Sequence, residues 1–179
     1  MTDFAGLHEL LLVPGDLDLY GVAAFLAASL DADGALVLLI DAEGRMLGVG
    51  AAHPPGGEEE QDLHIPVGFG VTGLVALNGH AVTLVDDSPR NEAHRRLLGL
   101  APDQAVSRLC APAHGMAATI VGVISAYRSD NRPFTGEELR RAQVHADLVG
   151  LRLFAQGLLG NVEDHQSQRD RLIAQAISA

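Results

Sequence analysis

Cys110, eight histidines and a glycine-spaced turn are the features of this 179-residue chain whose residue types and spacing bear on chemistry. Cys110 is the only cysteine, so the chain closes no internal disulfide and assembles no thiolate metal site. It lies in an apolar run just ahead of Pro112, where burial leaves a thiol inert, so packing is its expected role. A redox role requires Cys110 to open onto a cavity. His8, His53, His64, His80, His94, His114, His145 and His165 are scattered without the short helical pairing of a zinc site, and no metal is expected. There is no Gly-x-Ser-x-Gly elbow for acyl transfer and no Walker-type lysine loop for phosphoryl transfer.

Gly68-Phe69-Gly70-Val71-Thr72-Gly73 follows an apolar strand and opens a helix, which is the spacing of a dinucleotide fingerprint. Three features argue against that reading. A hairpin of antiparallel character precedes the glycines, no βαβ repeat follows, and the next helix has only about two turns. Asp86 follows the next strand but is too close to act as the distant ribose ligand. A strand that breaks into a helix in this way suits a sensor-type ligand pocket better than an active site.

The chain is 47% hydrophobic and 20% charged, enough for one substantial core with terminal extensions. The expected division is an N-terminal extension over 1–16, one domain over 17–159, and a C-terminal signalling or dimerisation helix over 160–179. A net charge of −11 with 12 basic residues argues against a nucleic-acid surface, which needs clustered cations, and against an anionic membrane. Met1-Thr2-Asp3-Phe4 lacks the start of a signal peptide, and the lone cysteine fits a reducing compartment, so a cytoplasmic location is expected.

Leu19, Val22, Ala23, Leu26 and Leu30 recur at helical spacing over 17–30, with Asp16 as the expected cap. Strands are expected at 35–40 and 45–50 around Asp41-Ala42-Glu43-Gly44, then at 63–67, 81–85, 106–112 and 118–127. The last is the most apolar, which places it centrally. His53 to Asp62 reads as a solvated acidic loop. Short helices are expected at 71–77, ended by Asn78-Gly79 as a left-handed cap, and at 91–98, closed by Gly99. Thr135 and Glu138 have capping-box spacing and open a long helix to about Leu159, interrupted at Gly160-Asn161. Leu148, Leu151, Phe154 and Leu158 make it more apolar than one core face requires, and a second helical segment with Leu172, Ile173 and Ile177 has nothing to pack on in a monomer. A homodimer through the terminal helices is the expectation.

Three segments, Ile65-Pro66-Val67-Gly68-Phe69-Gly70-Val71-Thr72-Gly73, Ser107-Arg108-Leu109-Cys110-Ala111-Pro112 and Val121-Gly122-Val123-Ile124-Ser125 with Pro133-Phe134-Thr135, in this order and spacing, resemble a GAF domain. The resemblance runs from Leu17 to about Leu159. It implies an α+β fold, a GAF/PAS-like central antiparallel sheet of about six strands with the terminal helices on one face. It also implies a ligand pocket on the other face, roofed by 86–105. Asp86, Arg90, Asn91, His94, Ser107, Cys110 and Ser125 are the ligand-binding candidates it points to.

The resemblance further implies a non-catalytic sensory module that binds a small molecule and signals through dimer-interface helices to a histidine kinase or other partner. The sequence specifies no cofactor. The Asn-Lys…Phe…Asp-Glu pattern of cyclic-nucleotide-binding members has no counterpart here. Haem-binding members carry a histidine in the loop before the fifth strand, where this chain reads Ala101-Pro102-Asp103-Gln104-Ala105 and His94 lies further back. The enzymatic alternative, free methionine-(R)-sulfoxide reduction, needs a second, resolving cysteine that is missing. The remaining alternative is a structural dimerisation module whose pocket is filled by its own side chains.

Overall fold

Apolar runs buried on both faces build the centre of one antiparallel sheet, and each face of it collects its own hydrophobic layer. The computed structural model describes the backbone of residues 4–177 and the side chains of residues 6–157. The strands are β1 (Gly34–Ile40), β2 (Met46–His53), β3 (His64–Pro66), β4 (Val82–Asp87), β5 (Val106–His114) and β6 (Ile120–Arg128), in the order β3-β2-β1-β6-β5-β4. Every neighbouring pair is antiparallel, and the most apolar strands, β1, β5 and β6, lie inside the sheet. The fold is thus the α+β sheet architecture expected.

On one face pack α1 (Phe4–Leu12), α2 (Leu19–Ser29) and the first turns of α6 (Gly136–Ile177). Their core joins Leu7, Val22 and Leu26 to Leu109, Ala111 and Ala113 of β5, with Ala142, Ala146 and Val149 of α6 closing it. The small side chains of β5 let α6 approach closely. At Gly150 an added Cβ would stand 2.5 Å from the His114 carbonyl oxygen, so only glycine fits. On the opposite face α3 (Glu59–Asp62), α4 (Gly70–Asn78) and α5 (Glu92–Leu97) cover Leu36, Leu38, Cys110, Val123 and Tyr127.

Local sequence signals explain the joints. Asp41 Oδ1 accepts from the Arg45 and Met46 amides at 2.7 and 3.2 Å and closes the β1–β2 turn. Gly79 caps α4 at φ 70°, ψ 24°, in the left-handed region. Thr135 and Glu138 form a complete capping box, with the Thr135 amide donating to Glu138 Oε2 at 2.7 Å and the Glu138 amide to Thr135 Oγ1 at 3.2 Å.

Within the N-terminal extension, α1 places Leu7 fully buried in the core. Three expectations need correction. The cap of α2 is Asp18, whose Oδ1 accepts from the Gly21 amide at 3.0 Å, rather than Asp16. The acidic loop contains α3, and its Glu60 is buried, accepting from Tyr20 Oη at 2.8 Å and the Gly56 amide at 2.7 Å. The backbone of α6 is helical through Gly160-Asn161 without a break. The apolar residues expected to line the segment beyond it, Leu172, Ile173 and Ile177, lie outside the described side chains.

Candidate ligand cleft

The glycine-spaced segment builds the first wall of a cleft of about 540 Å³ on the α4–α5 face. Gly68 and Gly70 take φ of 88° and 62°, which turns the chain sharply out of β3 and into α4. Gly73 serves a different purpose: an added Cβ would stand 2.3 Å from the Pro66 carbonyl oxygen, so its absence lets α4 sit against the end of β3. The spacing that resembles a dinucleotide fingerprint is therefore explained by a turn and a close helix–strand approach. Residues 65–66 and 69–72 form this wall, 87–91 and His94 the opposite one, and Arg108 the floor.

Strand parity decides what β5 contributes to the cleft. Leu109 and Ala111 face the terminal helices, so Arg108 and Cys110 face the other way. Arg108 is 4% exposed and lines the cleft. Its Nε lies 2.7 Å from Asp87 Oδ2, an ion pair whose N–H is not aligned for a hydrogen bond. A register shift between Leu84 and Asp87, with Asp86 at φ 53°, explains why Asp87 rather than Asp86 faces the cleft.

His94 is 3% exposed on α5 and lines the cleft, with Nδ1 at 3.5 Å from Arg108 Nη1. Burial, reinforced by the charge of Arg108, pushes the imidazole down to about 3, so it is neutral near pH 7. A guanidinium only donates, so Nδ1 accepts and Nε2 carries the proton. Nε2 is buried and has no hydrogen-bond partner, whereas Asp87 Oδ2 and Arg108 Nε answer each other as an ion pair. A buried donor without a partner at a cleft calls for an occupant.

The seven candidates separate into three groups. Arg90, Asn91 and His94 line the cleft, although Asn91 spends its Oδ1 capping α5 through the His94 amide at 3.1 Å. Cys110 and Ser125 are buried on the cleft side of the sheet, with Sγ 3.5 Å from Ser125 Oγ and 4.0 Å from Thr72 Oγ1. Asp86 and Ser107 are drawn together elsewhere by Asn131, whose Oδ1 accepts from the Asp86 amide at 2.9 Å and from Ser107 Oγ at 3.3 Å. Sequence reasoning missed Asp87, Thr72 and Arg108. Parity was the available signal for Arg108, since Ser107 and Cys110 cannot share a face whereas Arg108 and Cys110 must. Among the described residues, no group of three or more His, Cys, Asp or Glu is placed to hold a metal ion. No described helix is long and apolar enough to cross a membrane.

The family model of the GAF domain matches residues 19–153, so the chain belongs to the GAF domain family. Among solved structures it is similar to the GAF domain of a phosphoenolpyruvate-protein phosphotransferase from Coxiella burnetii, at 20% identity and a TM-score of 0.71, covering 88% of this chain and 93% of that one. It is also similar to the GAF-B domain of DevS from Mycobacterium smegmatis, at 25% identity and a TM-score of 0.59, covering 77% and 93%. A segment of a methyl-accepting chemotaxis protein matches at 18% identity and a TM-score of 0.63, covering 79% and 89%. No curated protein matches.

Proposed function

We propose that this chain is a non-catalytic sensory module that binds a small molecule in the α4–α5 cleft and reports occupancy through α6 to a partner in a signalling pathway. The observation that carries this reading is His94 Nε2, buried at the cleft wall without a hydrogen-bond partner beside the Asp87–Arg108 ion pair. A pocket filled by its own side chains would satisfy that atom internally.

Strand β5 is the physical link between cleft and output. It carries Arg108 on the cleft side and packs Leu109, Ala111 and Ala113 on α6 from the other. Two polar contacts fasten that junction: Gln143 Nε2 donates to the Pro112 carbonyl at 3.0 Å, and His114 Nδ1 meets Asp147 Oδ1 at 2.8 Å. A ligand that favours one setting of β5 thereby favours one setting of α6. The outer surface of α6 presents Val144, Leu148 and Leu151 at i, i+4 and i+7, exposed by 45%, 37% and 46%. This stripe supports a homodimer through the terminal helices. Full burial of Cys110 supports a packing role for the thiol over catalysis.

The test is a thermal-denaturation screen of small metabolites on the full chain and on a Ser88→Trp variant, which places a large ring on an exposed rim position. Compounds that raise the melting temperature of the parent but not of the variant support the cleft as ligand site. Stabilisation that is equal in both places binding elsewhere and contradicts it.

A further inference from the structure

We propose that the cleft selects an organic monocarboxylate, with its apolar body against Ile65, Phe69 and Val71 and its carboxylate received at the open first turn of α4. This deepens the reading of the cleft as ligand site and rests on it. Helix α4 has Phe69 at its cap position, and no side chain caps it. The first amides of a helix have no partner within it, and the helix dipole adds positive character there. Those amides belong to Gly70, Val71 and Thr72, which line the cleft.

An independent observation points to the same kind of ligand. His94 Nε2 is buried at the cleft wall without a hydrogen-bond partner, and its tautomer makes it a donor. An acceptor-rich occupant satisfies it, and a carboxylate is acceptor-only. Charge narrows the choice further. The lining sets Arg90 and Arg108 against Asp87, a surplus of one positive charge in a chain of net charge −11. One carboxylate balances that surplus, whereas a phosphate dianion leaves negative charge uncompensated in a half-enclosed site.

The proposal is tested by amide-resolved NMR titration of the full chain with sodium benzoate, with benzamide as its uncharged counterpart, and with inorganic phosphate. Benzoate is expected to shift the Gly70, Val71 and Thr72 amides saturably, and benzamide to bind about tenfold more weakly or less, the share of charge-assisted hydrogen bonding. Arg90→Gln, at an exposed position that leaves the core intact, is expected to weaken benzoate several-fold and leave benzamide unchanged. Equal binding of benzamide and benzoate in the cleft overturns the carboxylate inference while sparing the ligand-site reading. Phosphate engaging the same amides more tightly than benzoate overturns the choice of a monoanion. No shift at the cleft with any of the three overturns the carboxylate inference, and the metabolite screen on the parent and the Ser88→Trp variant then decides the ligand-site reading.

Discussion

Arg108 Nη1 and His94 Nδ1 lie 3.5 Å apart, and this contact orients the His94 ring. Burial first, and then the charge of Arg108, keep the imidazole neutral, and because the guanidinium cannot accept, the ring turns its lone pair to Arg108. With a folded value of about 3 against an ordinary 6.5, His94 binds its proton in the unfolded chain well before it does so in the fold. Stability is therefore expected to fall as pH drops from 6.5 towards 3. His145, pushed down to about 4 by burial and then by Arg141, contributes in the same sense between 6.5 and 4. Replacing His94 by Gln should flatten the acid side of the stability profile by up to about 1.4 kcal/mol per pH unit, one proton's share. Urea denaturation at several pH values checks this, and an unchanged slope contradicts it.

Arg128 is expected to be the costliest single position outside the apolar core. It is 2% exposed and donates to the carbonyls of Leu30, Asp31 and Pro133 at 2.6, 2.9 and 3.0 Å, pairs with Glu138, and lies 4.0 Å over the Phe134 ring. It thus joins the end of α2, strand β6 and the start of α6. Burial opposes ionisation of Glu138, but Arg128 and Thr135 outweigh it and hold the carboxyl below its ordinary range. Arg128→Met should cost about 3–5 kcal/mol by leaving Glu138 Oε1 and three carbonyls without their cationic partner, although Thr135 still holds Glu138 Oε2. Adding Glu138→Gln should return part of that loss by removing the orphaned charge. Chemical denaturation of the single and double variants measures both effects.

Cys110 should resist modification in the native state. It is fully buried, between Thr72 and Ser125. Iodoacetamide labelling of the native protein should run at the rate of structural opening, and accelerate by orders of magnitude once urea unfolds the chain. Fast labelling of the folded protein would reopen a redox role.

The exposed α6 stripe should govern self-association. Leu148→Glu together with Leu151→Glu should convert a dimer to a monomer in sedimentation equilibrium while far-ultraviolet dichroism stays the same, because both side chains already face solvent within one chain. Dimers that survive both charges place the interface elsewhere.

The elements with strong local chemistry were legible in the sequence. Thr135 with Glu138 and Asn78 with Gly79 mark helix ends through bonds made within a few residues, and short, nearly continuous apolar runs mark β1, β5 and β6. Features that depend on distant partners were not. Glu60 looks like any surface acid until Tyr20, forty positions earlier, donates to it. Asp87 faces the cleft because a register shift after Leu84 turns the chain. For α2, both Asp16 and Asp18 have capping chemistry, and only backbone geometry selects Asp18. Arg108 was within reach, since parity with Cys110 puts it on the cleft face, but a charged residue in an apolar strand reads as solvent-facing until the ion pair with Asp87 is seen.

Occupancy of the cleft is tested most directly by native mass spectrometry of the freshly purified full chain beside its Ser88→Trp variant, each repeated under denaturing conditions. The expected result is a dimer carrying a small extra mass that disappears on denaturation and is lost or reduced in the variant. A chain without extra mass in both proteins, or an extra mass retained equally by the variant, would contradict the α4–α5 cleft as the ligand site.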